Sequence, residues 1–470
     1  MQEDQVRTML ERRDALLVDA AERARRYLDT IGNRRVAPSP EALAALGALD
    51  FPLPERGFPA DEVLARLDDV GSPATIASAG PRYFGFVVGA ALPSAVATSW
   101  LLAAWDQNAG LHALSPVAAR LDDVALRWLS DLLGLPKGAG GAFVTGATMA
   151  NVSCLAAARD ATLTSVGWDA ASNGLVGAPA VTVIVGAEAH TTVHKALGLL
   201  GLGRERVLRL PVDSQGRVVT DSLPGIEPPA IVCLQAGNVN SGAFDPFPRL
   251  IEWAHTHGAW VHVDGAFGLW ALTDPEFAAL TEGITGADSW ATDAHKWLNT
   301  TYDCGIAFTR DGRALFDAMA AHAAYYVEGG EREPALFTPQ SSQRARGVEV
   351  WAVLASLGRE GLAELITRTC ALARRFADAM RSAGFEVLND VVLNQVVVSF
   401  GADERTDEVL AAIQADGTCW CGPTTWQGRR AMRMSVSGWA TTTADIDRSA
   451  DAVVRVARNA LGEVSPAISG

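Results

Sequence analysis

Between residues 115 and 310, short apolar runs alternate with longer stretches of helical periodicity. Six runs are rich in β-branched residues and apolar on both faces: GAFVTG, AVTVIVGA, AIVCLQAG, AWVHVDGA, ADSWATDA and CGIAFTRD. Strands of this kind, separated by helices, are typical of a parallel sheet that is covered on both sides. The pattern therefore predicts an α/β domain built on a mostly parallel, doubly wound sheet.

The pattern changes on either side of this region. The N-terminal segment predicts helices with a Pro- and Gly-rich break, VAPSPEALAALGALDFPLPERGFP. After an irregular stretch at 311–345, a helical run, three short strands (FEVLND, LNQVVVSF and RAMRMSVSG) and a closing helix predict a small α+β lobe. We therefore divide the chain into a helical arm (1–80), a large domain (81–347) and a small C-terminal domain (348–470).

One uncharged stretch, from Tyr83 to Trp105, is long enough to span a bilayer. Pro93 and several Gly, Ser and Thr residues interrupt it. We therefore expect buried helix and loop lining an interface or pocket, and no membrane association. The N-terminus is charged and lacks the apolar core of a signal peptide.

Composition excludes some functions. The 470 residues are 49% apolar, which is enough for a large core in two or three lobes. A net charge of −15 argues against a nucleic-acid-binding protein, because such proteins need basic surfaces. Six scattered cysteines lack the spacing of a zinc site, which predicts reduced thiols, no metal and a cytoplasmic protein.

Lysine is scarce in this chain. Arginine supplies all but three of the 39 basic residues, and the exceptions are Lys137, Lys195 and Lys296. A lysine can lose its proton and add to a carbonyl, which an arginine in practice cannot do. Lys296 follows the strand candidate ADSWATDA, at the kind of strand end where α/β sheets bind ligands. Taken alone, an ordinary surface lysine explains this residue equally well.

Three other groups lie at predicted strand ends. The turn 145–148 precedes a helix whose exposed N–H groups suit a phosphate. His190 precedes the helix TTVHKALG, and Asp264 closes a buried apolar strand, where it needs a cationic partner. A capping or core histidine, and a helix cap or buried ion pair, are the alternatives. Together, a phosphate turn, a ring-stacking histidine, an acid for a pyridinium and a lysine for a Schiff base indicate a pyridoxal phosphate site.

From Pro81 to the C-terminal lobe, the chain resembles the group II pyridoxal-phosphate decarboxylases, which include aromatic-L-amino-acid, glutamate and histidine decarboxylases. The similarity is strongest in PRYFGFV, AEAHTTVHKA, GNVNSGAFDP, WVHVDGAFG, DSWATDAHKWLNTTYDCG and SQRARGVEVW. The resemblance implies the aspartate-aminotransferase-like fold (PLP fold type I), a homodimer clasped by the N-terminal arm, and an amino acid substrate.

The resemblance also implies roles for single residues. Lys296 carries the cofactor as a Schiff base, His190 stacks on its ring, and Asp264 pairs with the ring nitrogen. Further cofactor contacts are implied for Ala147, Thr148, Asn238, Asn240, Ala266, Asp293 and His295. The turn 238–240 replaces a Thr-rich turn of the family. Asp293 stands where relatives often carry Asn or Ser facing the phosphate, and an acid there is electrostatically unfavourable.

Substrate contacts follow from the same resemblance. Tyr325 matches a tyrosine on a loop over the active site, with Tyr326 as the alternative register. Arg433 matches an arginine near the substrate carboxylate, although a surface ion pair also explains it. Further substrate positions are Phe86, Val87 and Val88, with Asn108 and His112 reaching in from the partner subunit. The first three are apolar, so we expect decarboxylation of an aromatic or bulky apolar L-amino acid to its amine and CO2.

Several alternatives stay open at this point. Glutamate or aspartate as substrate would require a cation for the distal carboxylate, which Arg82 or a partner residue could supply. An oxidase that decarboxylates its substrate would release an aldehyde, ammonia and peroxide, although Tyr325 favours simple decarboxylation. A carbon–carbon lyase or an aminotransferase would share the lysine and the aspartate. A non-enzymatic scaffold is opposed by the intact set of lysine, histidine and aspartate.

Overall fold

The chain folds into two sheets flanked by helices, and the computed structural model describes residues 3–320 and 332–462. The strands are β1 (Gly140–Val144), β2 (Thr182–Gly186), β3 (Val207–Leu210), β4 (Ala230–Gln235), β5 (Trp260–Asp264), β6 (Ser289–Asp293), β7 (Gly305–Thr309), β8 (Glu386–Val387), β9 (Gln395–Ser399), β10 (Gly422–Trp426) and β11 (Arg429–Ser435). The helices are α1 (Glu3–Thr30), α2 (Pro40–Ala45), α3 (Ala60–Arg66), α4 (Ser72–Ala74), α5 (Pro93–Trp105), α6 (Pro116–Leu132), α7 (Ala147–Ser165), α8 (Ala170–Asn173), α9 (Thr191–Leu199), α10 (Phe247–Thr256), α11 (Ala278–Thr281), α12 (Gly312–Met319), α13 (Arg346–Ser382), α14 (Asp403–Asp416) and α15 (Thr443–Ala460).

The larger sheet has seven strands in the order β1-β7-β6-β5-β4-β2-β3. Strands β3, β2, β4, β5 and β6 pair in parallel, whereas β7 runs antiparallel between β1 and β6. The mostly parallel, doubly wound sheet predicted from the sequence is therefore confirmed. Because β1, β2, β4, β5 and β6 share one direction, their carboxyl ends meet at one edge, where α/β sheets bind ligands.

Three tryptophans fill the core beside this edge. Trp270, Trp290 and Trp297 are fully buried, and each indole N–H has an acceptor, as a buried indole requires. Trp270 donates to the backbone carbonyl of Asp293 at 3.0 Å. Trp297 follows Lys296 directly and donates to Thr369 Oγ1 on α13 at 2.9 Å. The loop that carries Lys296 is thus anchored to the core on both sides.

The smaller sheet is antiparallel, with the order β10-β11-β9-β8. A short segment around Phe84, far away in sequence, hydrogen-bonds to this sheet. Phe84 donates its N–H to Trp420 O at 2.9 Å and accepts the N–H of Ser435 at the same distance. The Phe84 side chain lies in the core of this sheet. The segment around residue 84, assigned from sequence to the large domain, therefore hydrogen-bonds to the small one.

The uncharged stretch forms a loop followed by α5. This helix buries Ala95 and Leu102, while Trp100, Leu101 and Trp105 are 45%, 55% and 44% exposed. Within the described ranges, no helix combines the length and the apolarity that crossing a membrane requires.

Candidate active site

A cavity of about 420 Å³ lies at the carboxyl edge of the larger sheet. This volume is in the usual range for a small-molecule site. The structure brings eight of the predicted cofactor residues to its wall: Ala147, Thr148, His190, Asp264, Ala266, Asp293, His295 and Lys296. They come from the ends of β5 and β6, the loops that follow these two strands, and the N-termini of α7 and α9.

A carboxylate links the lysine to the start of α7. Lys296 Nζ lies 2.9 Å from Asp293 Oδ2, and Asp293 Oδ1 accepts the N–H of Ala147 at 2.5 Å. His295 Nε2 is 3.6 Å from the same Oδ1. Burial lowers the pKa of His295, and the charge of Asp293 acts in the opposite direction. Asp293 thus places a negative charge at a helix N-terminus, where anions are favoured.

Asp264 and His190 also line this cavity. Asp264 Oδ1 accepts the N–H of Ala266 at 3.2 Å, and Oδ2 accepts Asn151 Nδ2 at 3.2 Å. The His190 ring caps α9, because its Nδ1 accepts the N–H of Thr192 at 3.3 Å. Burial lowers the pKa of His190, although the charge of Asp264 opposes this effect. The histidine therefore faces the cavity as a neutral ring.

The surroundings of Asp264 fit a cationic ring nitrogen. Asp264 is only 6% exposed, yet its carboxylate has no ion-pair partner within residues 3–320 and 332–462. A buried carboxylate without a partner is costly. A protonated pyridine would supply the missing charge, and Lys296 supplies an amine. The N–H groups at the start of α7, beyond that of Ala147, which Asp293 accepts, suit a phosphate. The residues present therefore fit pyridoxal phosphate.

Several residues of the site were missed in the sequence. Tyr302 lines the cavity, with its ring centroid 4.3 Å from that of His295, and burial raises its pKa to about 12. Thr192 and Asn151 contact the two predicted ring neighbours. Asn151 lies one helical turn after Ala147, on the same side of α7, which is the signal that points to it. The loop that holds Tyr302 offers no periodic signal.

The turn 238–240 lies beside the cavity, but its two asparagines do not line it. Asn238 Oδ1 accepts the N–H groups of Asn240 and Ser241 at 2.8 and 3.1 Å, so this side chain shapes the turn. Asn240 Oδ1 accepts Arg433 Nη1 at 3.4 Å. Burial lowers the pKa of Arg433. Contacts of both asparagines with the cofactor stay predictions.

The predicted substrate segment has an unusual backbone. Phe86 and Val87 have φ values of 55° and 59°, a region that costs energy for side chains other than glycine. Phe86 is 57% exposed and packs against Trp420 at 5.4 Å, whereas Val87 is buried in the core. Neither these two residues nor Val88 lines the cavity. At Gly89, a Cβ atom would lie 1.8 Å from the carbonyl oxygen of Lys296, so only glycine fits there.

The remaining predicted residues lie elsewhere in this subunit. Asn108 Oδ1 accepts the N–H of Gly110 at 2.9 Å, and its Nδ2 donates to Ser342 Oγ at 3.1 Å. The N–H of His112 donates to Glu333 at 2.6 Å. Neither residue lines the cavity of its own chain, and both remain candidates for the site of a partner. Tyr325 and Tyr326 lie outside the described residues.

A mostly parallel α/β sheet with this lysine, acid and histidine at its carboxyl edge defines the class of fold type I pyridoxal phosphate enzymes. The family model described as the pyridoxal-dependent decarboxylase conserved domain matches residues 43–401. The chain belongs to this family of carboxy-lyases, and its cofactor is pyridoxal 5'-phosphate. The family expected from the sequence motifs is therefore confirmed.

Individual relatives span more than one activity. Tryptophan decarboxylase 1 of Oryza sativa subsp. japonica is 27% identical over 82% of this chain and 81% of its own length. The 4-hydroxyphenylacetaldehyde synthase of Rhodiola rosea is 27% identical over 75% and 74%. A crystal structure of Oryza sativa TDC with PLP and tryptamine has a TM-score of 0.84, at 23% identity over 98% of this chain and 99% of the other. This last likeness confirms the fold.

Proposed function

We propose that this protein decarboxylates an aromatic or bulky apolar L-amino acid to its amine and CO2. One observation carries the proposal most directly: Asp264 is buried at the wall of the cavity that Lys296 also lines, and it has no cationic partner among the described residues. When bound, pyridoxal phosphate supplies a conjugated ring that accepts the electron pair left behind by departing CO2.

Each side chain has a task that its surroundings support. Lys296 would hold the cofactor covalently through Nζ and give way to the amino group of the substrate. Asp264 would keep a proton on the ring nitrogen, since a buried carboxylate favours a cation beside it. His190 and Ala266 would flank the two faces of the ring, and the N–H groups at the start of α7 would bind the phosphate.

Two tyrosines bear on the later step, in which the product carbon gains a proton. Tyr302, with its pKa raised to about 12 by burial, keeps its hydroxyl proton at physiological pH. Tyr325 is the proton donor that the family resemblance implies, and it stays a prediction outside the described residues. A proton delivered to this carbon completes the amine and competes with oxidation to an aldehyde.

The preference for an apolar substrate rests on the arginine next to the substrate segment. Arg82 is 3% exposed, and its guanidinium donates to Thr418 O at 2.8 Å and to Gly32 O at 2.7 Å. It also lies 3.4 Å from Asp445. A guanidinium held this way is not available to the distal carboxylate of glutamate or aspartate. The strained backbone at Phe86 and Val87 supports a binding role for this segment.

The aldehyde-forming reaction is the second candidate, because a 4-hydroxyphenylacetaldehyde synthase is among the relatives. A panel of twenty L-amino acids, followed for CO2, amine, aldehyde and peroxide, tests both proposals. We expect amine and CO2 from an aromatic or bulky apolar substrate, without peroxide. Aldehyde with peroxide would establish the second candidate, and release from glutamate or aspartate alone would contradict the proposed substrate class.

Two lysine variants provide a matched control for that panel. Lys296→Ala is expected to lose both turnover and the absorbance of the covalently held cofactor, because no other amine lines the cavity among the described residues. Lys195→Ala, at an exposed position on α9, is expected to keep both. Turnover that persists in Lys296→Ala would contradict the assignment of this lysine.

The proposal includes a homodimer, which α5 supports. Trp100, Leu101 and Trp105 expose large apolar side chains on one helix, and such groups mark interfaces. Leu101→Arg should therefore yield monomers in sedimentation velocity and lose activity if Asn108 and His112 serve the partner's site. Leu199→Arg, at a position that is 62% exposed on α9, is the control and should leave the oligomer unchanged.

A further inference from the structure

A line of hydrogen bonds runs through the large domain to Asp264. Trp260 Nε1 lies 2.9 Å from Ser289 Oγ, which lies 2.9 Å from His262 Nδ1. His262 Nε2 is 2.9 Å from Asn151 Oδ1, and Asn151 Nδ2 is 3.2 Å from Asp264 Oδ2. Asn151, His262 and Ser289 are completely buried. Strand geometry produces this line, because residues 260, 262 and 264 alternate onto one face of β5.

The direction of the bonds in this line follows from Asp264. As a carboxylate it can only accept, so the amide of Asn151 presents N–H to it and turns Oδ1 to His262. His262 Nε2 therefore carries a proton and donates it to Asn151 Oδ1. In a neutral ring, Nδ1 then accepts the hydroxyl proton of Ser289, whose oxygen accepts from the indole of Trp260. The reverse amide orientation would set an oxygen against the carboxylate.

The residues of this line that precede Asp264 are uncharged. Burial lowers the pKa of His262 to about 3, so this ring is neutral at physiological pH. A neutral histidine with one acceptor and one donor nitrogen is what the fixed direction requires. Asp264 thus receives a hydrogen bond from an amide whose orientation is set by a histidine behind it.

Asn151 also reaches the other predicted ring neighbour. Its Nδ2 lies 3.5 Å from Thr192 Oγ1, and Thr192 Oγ1 lies 2.8 Å from His190 Nδ1. The N–H of Thr192 points at the same Nδ1 from 3.3 Å, so that nitrogen accepts. The proton of a neutral His190 is consequently on Nε2. One amide is therefore tied to the acid at one end of the cavity and to the histidine beside it.

We propose that Asn151 and His262 are positioning residues, which fix the orientation of the Asp264 carboxylate through this directed line. The inference rests on the proposed role of Asp264 at the ring nitrogen. A carboxylate with no ion-pair partner is held in position by the hydrogen bonds donated to it. Asn151 is the side-chain donor that Asp264 has among the described residues.

Two substitutions at His262 test the inference with similar chemistry. In His262→Gln, the amide nitrogen reaches the position of Nε2 and can still donate to Asn151. In His262→Asn, the shorter amide reaches only the position of Nδ1, so Asn151 loses its partner. Asn151→Leu removes the donor to Asp264 outright while keeping the same branched skeleton of heavy atoms.

Two readouts independent of turnover should separate these variants. The first is the dissociation constant of pyridoxal phosphate from the reconstituted apoenzyme. The second is the ¹⁵N shift of ring-labelled cofactor across pH, which reports whether its nitrogen is protonated. We expect His262→Gln to stay within about threefold of the wild type, and His262→Asn and Asn151→Leu to bind about tenfold more weakly or worse, with a ring nitrogen that loses its proton at lower pH.

Asp264→Asn serves as the reference for the proposed function. If it lowers ring protonation while His262→Asn and Asn151→Leu match the wild type, the positioning role is overturned and the role of Asp264 stands. If Asp264→Asn also leaves the ring nitrogen protonated, the proposed role of Asp264 itself fails. Equal losses in His262→Gln and His262→Asn would likewise overturn the directed line, because only one of them keeps the donor.

Discussion

The amine of Lys296 and the carboxylate of Asp293 form an ion pair at 2.9 Å inside the cavity. The second oxygen of this carboxylate accepts the first N–H of α7 at 2.5 Å. An acid therefore occupies the helix N-terminus that the phosphate of the cofactor would use. A phosphate bound there would share this end of the helix with a like charge.

Asp293→Asn should consequently tighten cofactor binding. The amide oxygen can still accept the N–H of Ala147, while the repulsion between carboxylate and phosphate disappears. We expect the dissociation constant of pyridoxal phosphate to fall about three- to tenfold, in line with one screened charge removed at close range. Titration of the apoenzyme with pyridoxal phosphate measures this dissociation constant, and Asp317→Asn, at an exposed position on α12, is the control. Weaker binding would instead mean that the charge is needed to hold Lys296.

Asp264→Asn should slow turnover by about 10³-fold or more, which corresponds to several kcal/mol of barrier. An amide cannot balance a protonated ring nitrogen, so the cofactor would accept electrons less readily. The turnover number at saturating cofactor is the relevant measurement, because it separates chemistry from binding. A rate near that of the wild type would show that another group protonates the ring.

Asp122 on α6 should make stability depend on pH. Burial raises its pKa to about 7, with Arg332 opposing the shift, and its Oδ1 has no hydrogen-bond partner. The folded state therefore holds a proton that the unfolded chain releases near pH 4. The stabilisation that this proton gives the folded state is fully present below about pH 4. It is lost as the pH rises to about 7, at roughly 1.4 kcal/mol per pH unit.

Urea unfolding of Asp122→Asn and of the wild type from pH 4.5 to 8 measures this contribution. The free energy of unfolding of the wild type, taken relative to the variant, should decrease as the pH rises across that interval. A difference that is constant with pH would show that the carboxyl is already ionised at the acidic end.

Arg82→Met should destabilise the fold without changing substrate selectivity. The substitution keeps the stem of the side chain but removes the guanidinium that donates to the carbonyls of Gly32 and Thr418 and lies beside the carboxylate of Asp445. We expect a loss of about 2–4 kcal/mol in the free energy of unfolding. The ratio of rates on acidic and aromatic amino acids should stay the same. A changed ratio would place Arg82 in the substrate site.

Much of the large domain was predictable because its strands are buried on both faces. The two strands that the pattern missed have no such signal. β3, with the sequence VLRL, is a partly exposed edge strand, and β10, GPTTW, contains a glycine, a proline and two threonines. The pairing of Phe84 with Trp420 joins segments more than 300 residues apart, and no local pattern encodes it.

The same contrast holds at the candidate site. Lys296, Asp264 and His190 could be chosen because strand ends share one edge of a parallel sheet. The partners behind them depend on tertiary packing. Alternation along β5 places His262 on the same face as Asp264, but only the folded chain brings Asn151 of α7 between them.

The close approach of Gly89 to Lys296 limits how this protein can be redesigned. Any larger residue at position 89 would push against the peptide that carries the lysine. Mutant libraries that test the proposed substrate segment can vary positions 86 and 88. They should keep glycine at position 89, because a larger residue there would displace the amine of Lys296. The resulting loss of activity would hide any improvement produced by substitutions at the neighbouring positions.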